Sequence, residues 1–385
     1  MAKLNLNECR KMVADEGVEF AASQLKEWVS DKAGPRMKDI TSLHELFEAT
    51  VPDGHERLRE VLKPRNDQRL KEAIDSTSTA AFATLIGQIH YEEVKEAYEA
   101  PEMLWSQLST SRPTKLAKGE RIPGIGKIGD KAESVGEGQE YPVVGPNEEY
   151  YDRGPLMKNG FITRMTRELF IEDNIGGIQD SLTQGKEMMA YSAEKRCLNV
   201  ATGQINNYKR NGTATNTYLT SGAYTNSFTG ATLYDFSSLN TIFTGMAALT
   251  DPNTGEYIRY SMDQIVVPPA LYAAAQHATR QTQTERVDNT AGAGTFRTMG
   301  PAPFEGVVKK VLWSPYVKLA TSSDTNWFVG NFPKAIRRYY LWDVETYERT
   351  DLPNNFYRDI IFEFKATVYD NFFMYEPRYI AKGAP

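Results

Sequence analysis

Cysteine is nearly absent: among 385 residues only Cys9 and Cys197 carry a thiol. Two thiols make no disulfide framework, and a reducing compartment is the plain expectation. Histidine is almost as scarce. His44, His55, His90 and His277 are scattered, and none has another His or Cys at metal-ligand spacing. No run of 18 apolar residues occurs, which argues against a membrane-spanning helix. Residues 1–17 lack the apolar core of a signal peptide. A basic excess is missing too: the formal net charge of −6 argues against wholesale wrapping of nucleic acid. With 41% hydrophobic and 24% charged residues, the expectation is a soluble, intracellularly made chain long enough for two or three cored domains.

The most organised stretch is 174–203. Ile175, Ile178, Leu182, Met189, Ala193, Cys197 and Val200 recur three or four residues apart, the period of one buried helical face. Asp173 or Asn174 can cap its start, and Gly203 can end it. At 1.5 Å per residue this spine would run roughly 40 Å.

Around it the chain changes character. Residues 1–75 are charge-rich with helical patterns (Val18, Ala21, Leu25, Trp28 and Val29 on one face; Leu43, Leu46 and Phe47 on another), broken near Gly34, Pro52 and Pro64. They read as an interaction arm, an assembly segment or a small helical cap. A second helical pattern follows, with Phe82, Leu85, Ile86, Ile89 and Val94 on one side. Residues 112–160 are dominated by Gly, Pro and charge, with short strand patterns at 140–144 and 160–169. So long a segment without a core pattern is either functional or disordered. A long hairpin projecting from the body fits, and such an arm has to find its core on another molecule. After the spine, 211–250 holds one charged residue, Asp235, among Thr, Ser, Asn, Gly and Tyr. Helices are expected at 236–249 and 269–278, and strands at 264–267, 307–313, 326–329, 335–342, 360–368 and 372–375. Residues 281–299 read as a polar, mobile segment. In 360–368, Phe362, Phe364, Ala366 and Val368 alternate with Glu363, Lys365 and Thr367. The fold class is therefore α+β.

Catalytic signals are poor. Residues 124–129 fit Gly-x-Gly-x-x-Gly, but Arg121, Ile122 and Pro123 precede them and a Gly/Glu-rich stretch follows, so the strand and helix a dinucleotide site needs are missing. Asn211-Gly212-Thr213 reads as a turn rather than a glycan acceptor. Glu133, Glu137, Glu140, Glu148 and Glu149 form an acidic edge, more naturally solvated or partner-facing than metal-binding. Arg164, Arg167, Arg337 and Arg338 are the candidate basic counterparts on a neighbouring subunit. No catalytic residue, cofactor site or metal site is assigned.

Near the C-terminus, Asn355-Phe356-Tyr357-Arg358-Asp359, a strand, and then Tyr375-x-Pro377-x-x-Ile380-x-Lys382-Gly383 resemble the end of tailed-phage major capsid proteins with the Hong Kong 97-type fold. The order of parts upstream agrees: an arm, a Gly/Pro-rich loop with Glu140-Tyr141-Pro142 near its return, Glu168 to Asp173, the spine, and Val329-Gly330-Asn331-Phe332 before the last sheet. The resemblance covers about 80–380. It implies an N-terminal arm or assembly segment at 1–75, an arm or peripheral-domain helix at 76–111 and an extended loop at 112–170. The spine of a peripheral domain would follow at 171–203, an axial domain at 204–334, and peripheral strands with the C-terminus at 335–385.

What the resemblance implies for function is a structural shell subunit, not an enzyme. It would form pentamers and hexamers of an icosahedral head around double-stranded DNA, in the virion, after assembly in the host cytoplasm. Partners would be itself and portal, scaffold or decoration proteins, with the genome enclosed without sequence-specific binding and no membrane. Some relatives cross-link subunits through a loop lysine, an asparagine and a glutamate. Lys115, Lys118, Lys127 and Lys131 are available, but Asp359 and Ala366 stand at the other two positions, so no cross-link is expected. Residues 1–75 are expected to be retained. The competing readings are an encapsulin-like nanocompartment shell, a tail or decoration subunit, and a cytosolic nucleotide- or metal-dependent enzyme using the 124–129 loop.

Overall fold

The structure, a computed structural model, describes residues 11, 15–16, 42–50, 55–56, 87, 91, 94–98, 103–123, 134–141, 150–166, 175–222, 224–234, 236–250, 255, 257–280, 284–290, 294–300, 304, 306–349 and 360–385. The 124–129 loop, Asp359 and most of the patterns read in 1–75 lie outside them.

In chain order the elements are α1 (Leu43–Thr50), α2 (Leu104–Leu108), β1 (Thr110–Pro113), β2 (Glu120–Pro123), β3 (Tyr150–Arg153), β4 (Met157–Thr166), α3 (Ile175–Ala201), β5 (Lys209–Arg210), β6 (Thr213–Ala214) and β7 (Ser227–Phe228). Then come α4 (Phe236–Ala247), β8 (Gln264–Val267), α5 (Tyr272–Arg280), β9 (Thr284–Thr290), β10 (Gly294–Gly300), β11 (Lys310–Trp313), α6 (Pro315–Thr321), β12 (Trp327–Gly330), α7 (Phe332–Ala335), β13 (Ile336–Arg349), β14 (Ile360–Met374) and β15 (Ile380–Gly383). The chain is α+β. It divides into one unit of residues 1–100, 158–192 and 342–369, and a second of 101–157, 193–341 and 370–385.

In the first unit the strand order is β13, β14, β4. The alternation read in 360–368 is present: Phe364, Ala366 and Val368 are buried while Glu363 and Lys365 are half-exposed. Thr367 departs from the pattern and is buried as well. Phe161 of β4 lies against Phe364, ring centroids 6.4 Å apart, and against Gly185 of α3. Met189 and Ala190 continue that buried helical face.

The second unit holds the last turns of α3, where Ala193, Cys197 and Val200 are buried as the spacing requires. The helix ends in a Schellman motif: Gln204 N–H donates to Asn199 O (2.9 Å), Gly203 N–H to Val200 O (3.1 Å), and Gly203 takes φ +74°. Beyond it, a five-stranded sheet runs β11, β8, β12, β15, β7. Its strands β8 and β12 are buried along their whole length, so after Gln264 they read as continuous apolar runs instead of alternating ones. Leu239, Ile242 and Met246 of α4, Ala275 and Ala278 of α5, and Ile265, Val267, Trp327 and Val329 of the sheet form one core. Trp327 donates Nε1–H to Ala231 O at 2.8 Å, so the indole is buried without an orphaned donor.

Three expectations change. Across 281–299, read as a polar, mobile segment, the antiparallel hairpin of β9 and β10 takes shape. The strands read at 360–368 and 372–375 are one, β14, continuous through Asp370 and Asn371. The final strand is β15, which pairs with β12 and β7 and so joins the sheet of the 204–334 segment.

Candidate assembly surface

Within 112–160, β2 and β3 pair antiparallel, with Glu120 opposite Arg153 and Pro123 opposite Tyr150. β5 and β6 extend this sheet through the Asn211-Gly212 turn, whose Asn211 side chain accepts from Tyr150 N–H at 3.0 Å. Arg153 anchors the base. Its side chain is fully buried, and Nη2 donates to Leu116 O (2.7 Å), Lys118 O (3.0 Å) and a Glu120 carboxylate oxygen (3.3 Å). Nη1 donates to Gly154 O, and the guanidinium lies 5.4 Å from the Tyr339 ring centre. A fork of donors of this kind gathers several backbone carbonyls onto one cation. Burial pushes the phenol of neighbouring Tyr151 well above its ordinary value, so it stays neutral.

Arg153 draws the Leu116 and Lys118 carbonyls inward, and the side chains of those two residues face out. Arg112, Lys115, Leu116 and Lys118 are exposed, and β1 is exposed at every position. β1 is also an edge strand, paired only with β13 among the described residues. Between β2 and β3 in the sequence, residues 134–141 make a turn in which Gln139 N–H donates to Gly136 O, and Glu137, Glu140 and Tyr141 stand exposed, Tyr141 by 82%.

The nine candidate residues are not gathered in one place. Glu133, Glu148, Glu149 and Arg167 lie outside the described residues. Glu137 and Glu140 are exposed. The three described arginines are engaged within the chain. Arg164 pairs with Glu363 across β4 and β14 at 2.8 Å, and Arg337 is half-buried with its guanidinium 3.1 Å from the Tyr375 ring centre. Arg338 faces inward, 2% exposed, and donates Nε–H to Asp370 at 2.6 Å.

Asp370 is the buried centre of a triad, because Arg196 of α3 also donates to it at 2.7 Å. Burial alone would raise the Asp370 pKa, but the two guanidiniums outweigh it and hold the carboxyl below its usual range. Arg338 is flanked by Trp105 (4.8 Å) and Tyr340 (5.2 Å), and Arg196 by Phe372 (5.5 Å). Of these residues the sequence singles out only Arg338, and as a partner-facing cation; Arg153, Arg196 and Asp370 carry no sequence signal. Among the described residues no group of three or more His, Cys, Asp or Glu side chains could hold a metal ion. Among them, too, no helix is long and apolar enough to cross a membrane.

Comparison with curated proteins finds no match. Among solved structures, similarity extends to a chain of Gordonia phage Cozz, 13% identical with a TM-score of 0.41, covering 74% of this chain and 86% of that one. The capsid of the native GTA particle is 12% identical with a TM-score of 0.41, covering 73% and 89%. The SrpI encapsulin of Synechococcus elongatus is 10% identical with a TM-score of 0.43, covering 74% and 87%. The sequence model described as Phage capsid protein matches residues 152–383, well over half of the chain and all of it from β4 to β15. The chain belongs to this phage capsid protein family.

Proposed function

We propose that this capsid-family chain is the major capsid protein of a tailed bacteriophage. On this reading it is built on the Hong Kong 97-type fold and self-assembles into pentamers and hexamers of an icosahedral shell around double-stranded DNA. The family match over 152–383 carries the reading. The hairpin supports it: its base is fixed by buried hydrogen bonds, while its described outer part exposes Tyr141 beside two carboxylates. A tyrosine 82% exposed gains from a partner what it lacks in the isolated chain. The work of the protein is then assembly rather than catalysis. A closed shell repeats a modest interface many times, so each contact can stay weak enough to correct errors. The acidic chain would enclose the genome without holding it tightly, and portal, scaffold or decoration proteins would complete the particle.

The test is expression of the chain alone, with and without residues 1–75, followed by electron microscopy. Closed shells from the full-length chain are expected; a chain that stays monomeric at high concentration would require a scaffold, and one that builds no shell even with a scaffold co-expressed would sink the reading. Since Asp359 and Ala366 replace the cross-linking asparagine and glutamate of related shells, the shells should be held without covalent links. Boiled in detergent, they should run as a single subunit band; a ladder of multimers would count against non-covalent closure.

A further inference from the structure

The arginines with which the acidic edge was first matched are engaged within their own chain, yet three other cations are available. Arg112, Lys115 and Lys118 recur at a spacing of three along β1 and the loop after it, are exposed, and make no ion pair among the described residues. Arg121, next at the same spacing, is already paired with Asp152 at 3.3 Å. The exposed carboxylates Glu137 and Glu140, also three apart, likewise lack an ion pair there. Each set stands beside one exposed apolar side chain: Leu116, 52% exposed, within the cations, and Tyr141 next to Glu140. The segment from β1 to 141 thus carries a basic stretch and an acidic stretch that do not pair with one another among the described residues.

Resting on the shell reading above, we infer that the 134–141 turn of one copy docks on the 112–118 stretch of the next. Glu137 and Glu140 meet Lys115, Lys118 and Arg112, and Tyr141 lies on Leu116. The occupant is a second copy because the complementary surface is on the same chain, opposite in charge and with the same spacing of three. Two different patches meeting make a head-to-tail contact, the kind that closes rings when its rotation permits. The opposed charges set which copy and which register are accepted. β1 suits the receiving role: a short edge strand bearing a cation and a proline resists indiscriminate strand pairing and leaves side chains to decide the partner.

A charge exchange in the full-length chain tests this. K115E/K118E and E137K/E140K should each lower shell yield about tenfold or more at moderate ionic strength, since like charges then face each other. The quadruple variant, with both halves exchanged, should recover most of the yield. Circular dichroism and the unfolding midpoint of the unassembled subunits must match wild type in all three, and K115R/K118R should assemble normally. Normal shells from either double variant would overturn the inference while leaving the shell reading intact. So would a quadruple variant as defective as the doubles, because the two halves would then act separately. Normal K115E/K118E shells that retain less DNA would also overturn it, by assigning the cations to the genome. If wild-type chain forms no shell even with a scaffold co-expressed, the shell reading falls and the inference falls with it.

Discussion

Asp370 shows what one residue contributes and under which conditions. It is fully buried and receives hydrogen bonds from Arg196 and Arg338, so the carboxylate balances two guanidiniums that are themselves largely withdrawn from water. Asp370→Asn removes that charge while keeping the shape, leaving cations uncompensated, and should cost about 3–5 kcal/mol at neutral pH. The sign of the pH dependence follows from the depressed pKa of the native state. Stability from the ionised carboxylate is fully present above its unfolded value, near ~3.9, and is lost as pH falls through the lower native value. Urea unfolding of wild type and variant should therefore show a constant gap from pH 7 to about 4, narrowing below that as wild type protonates. A gap that stays constant into strong acid would show that shape, not charge, is what the substitution disturbs.

At the scale of elements the spine offers a sharper test. Gly185 lies within α3, where glycine costs a helix about 1 kcal/mol relative to alanine. A Cβ there would stand 2.4 Å from Cε2 of Phe161, so the close approach of β4 outweighs helix propensity. Gly185→Ala should destabilise by about 1–2 kcal/mol, the crowding of a filled core exceeding the propensity gain. Phe161→Leu should relieve part of that loss, so a double-mutant cycle on the unfolding free energy should give a favourable coupling. Purely additive effects would mean the helix yields to the ring at no cost.

The same helix shows what the sequence makes legible. Its apolar period and closing glycine place it at 174–203, and it spans Ile175–Ala201. The core strand β8 lies where an unbroken apolar run predicts it. Elements whose residues look polar on paper escaped. β9 and β10 carry Thr, Glu, Arg, Asp and Asn without alternation, so their pairing is invisible to a pattern of burial. β14 seemed to stop before Asp370 because a charged residue in a strand reads as a boundary unless its buried partners are known. The surface is harder still. Whether an arginine is engaged within its own chain depends on neighbours distant in sequence: Glu363 lies 199 residues from Arg164, and Asp370 lies 32 from Arg338.

On the scale of the whole molecule, folding and assembly should separate at the base of the hairpin. Arg153 belongs to the fold: removing it strands the carbonyls of Leu116 and Lys118 and leaves the Glu120 carboxylate without its cation, held only by Thr114. Arg153→Leu should therefore cost about 2–4 kcal/mol in the unassembled subunit, and shells should be lost with it. On the proposed reading the outer hairpin serves assembly. Pro123 and Tyr150 face each other across β2 and β3, so residues 124–149 can be replaced by Asn-Gly, the two-residue turn that suits such a pair. The shortened loop leaves the Arg153 anchor untouched and does not raise the entropy of closing the hairpin. The subunit should unfold at or above the wild-type urea midpoint and yet form no shells. Lost stability would mean the hairpin is part of the core of its own chain. Shells that still close would mean the contacts that build the particle lie elsewhere on the body, leaving the hairpin as an accessory to it.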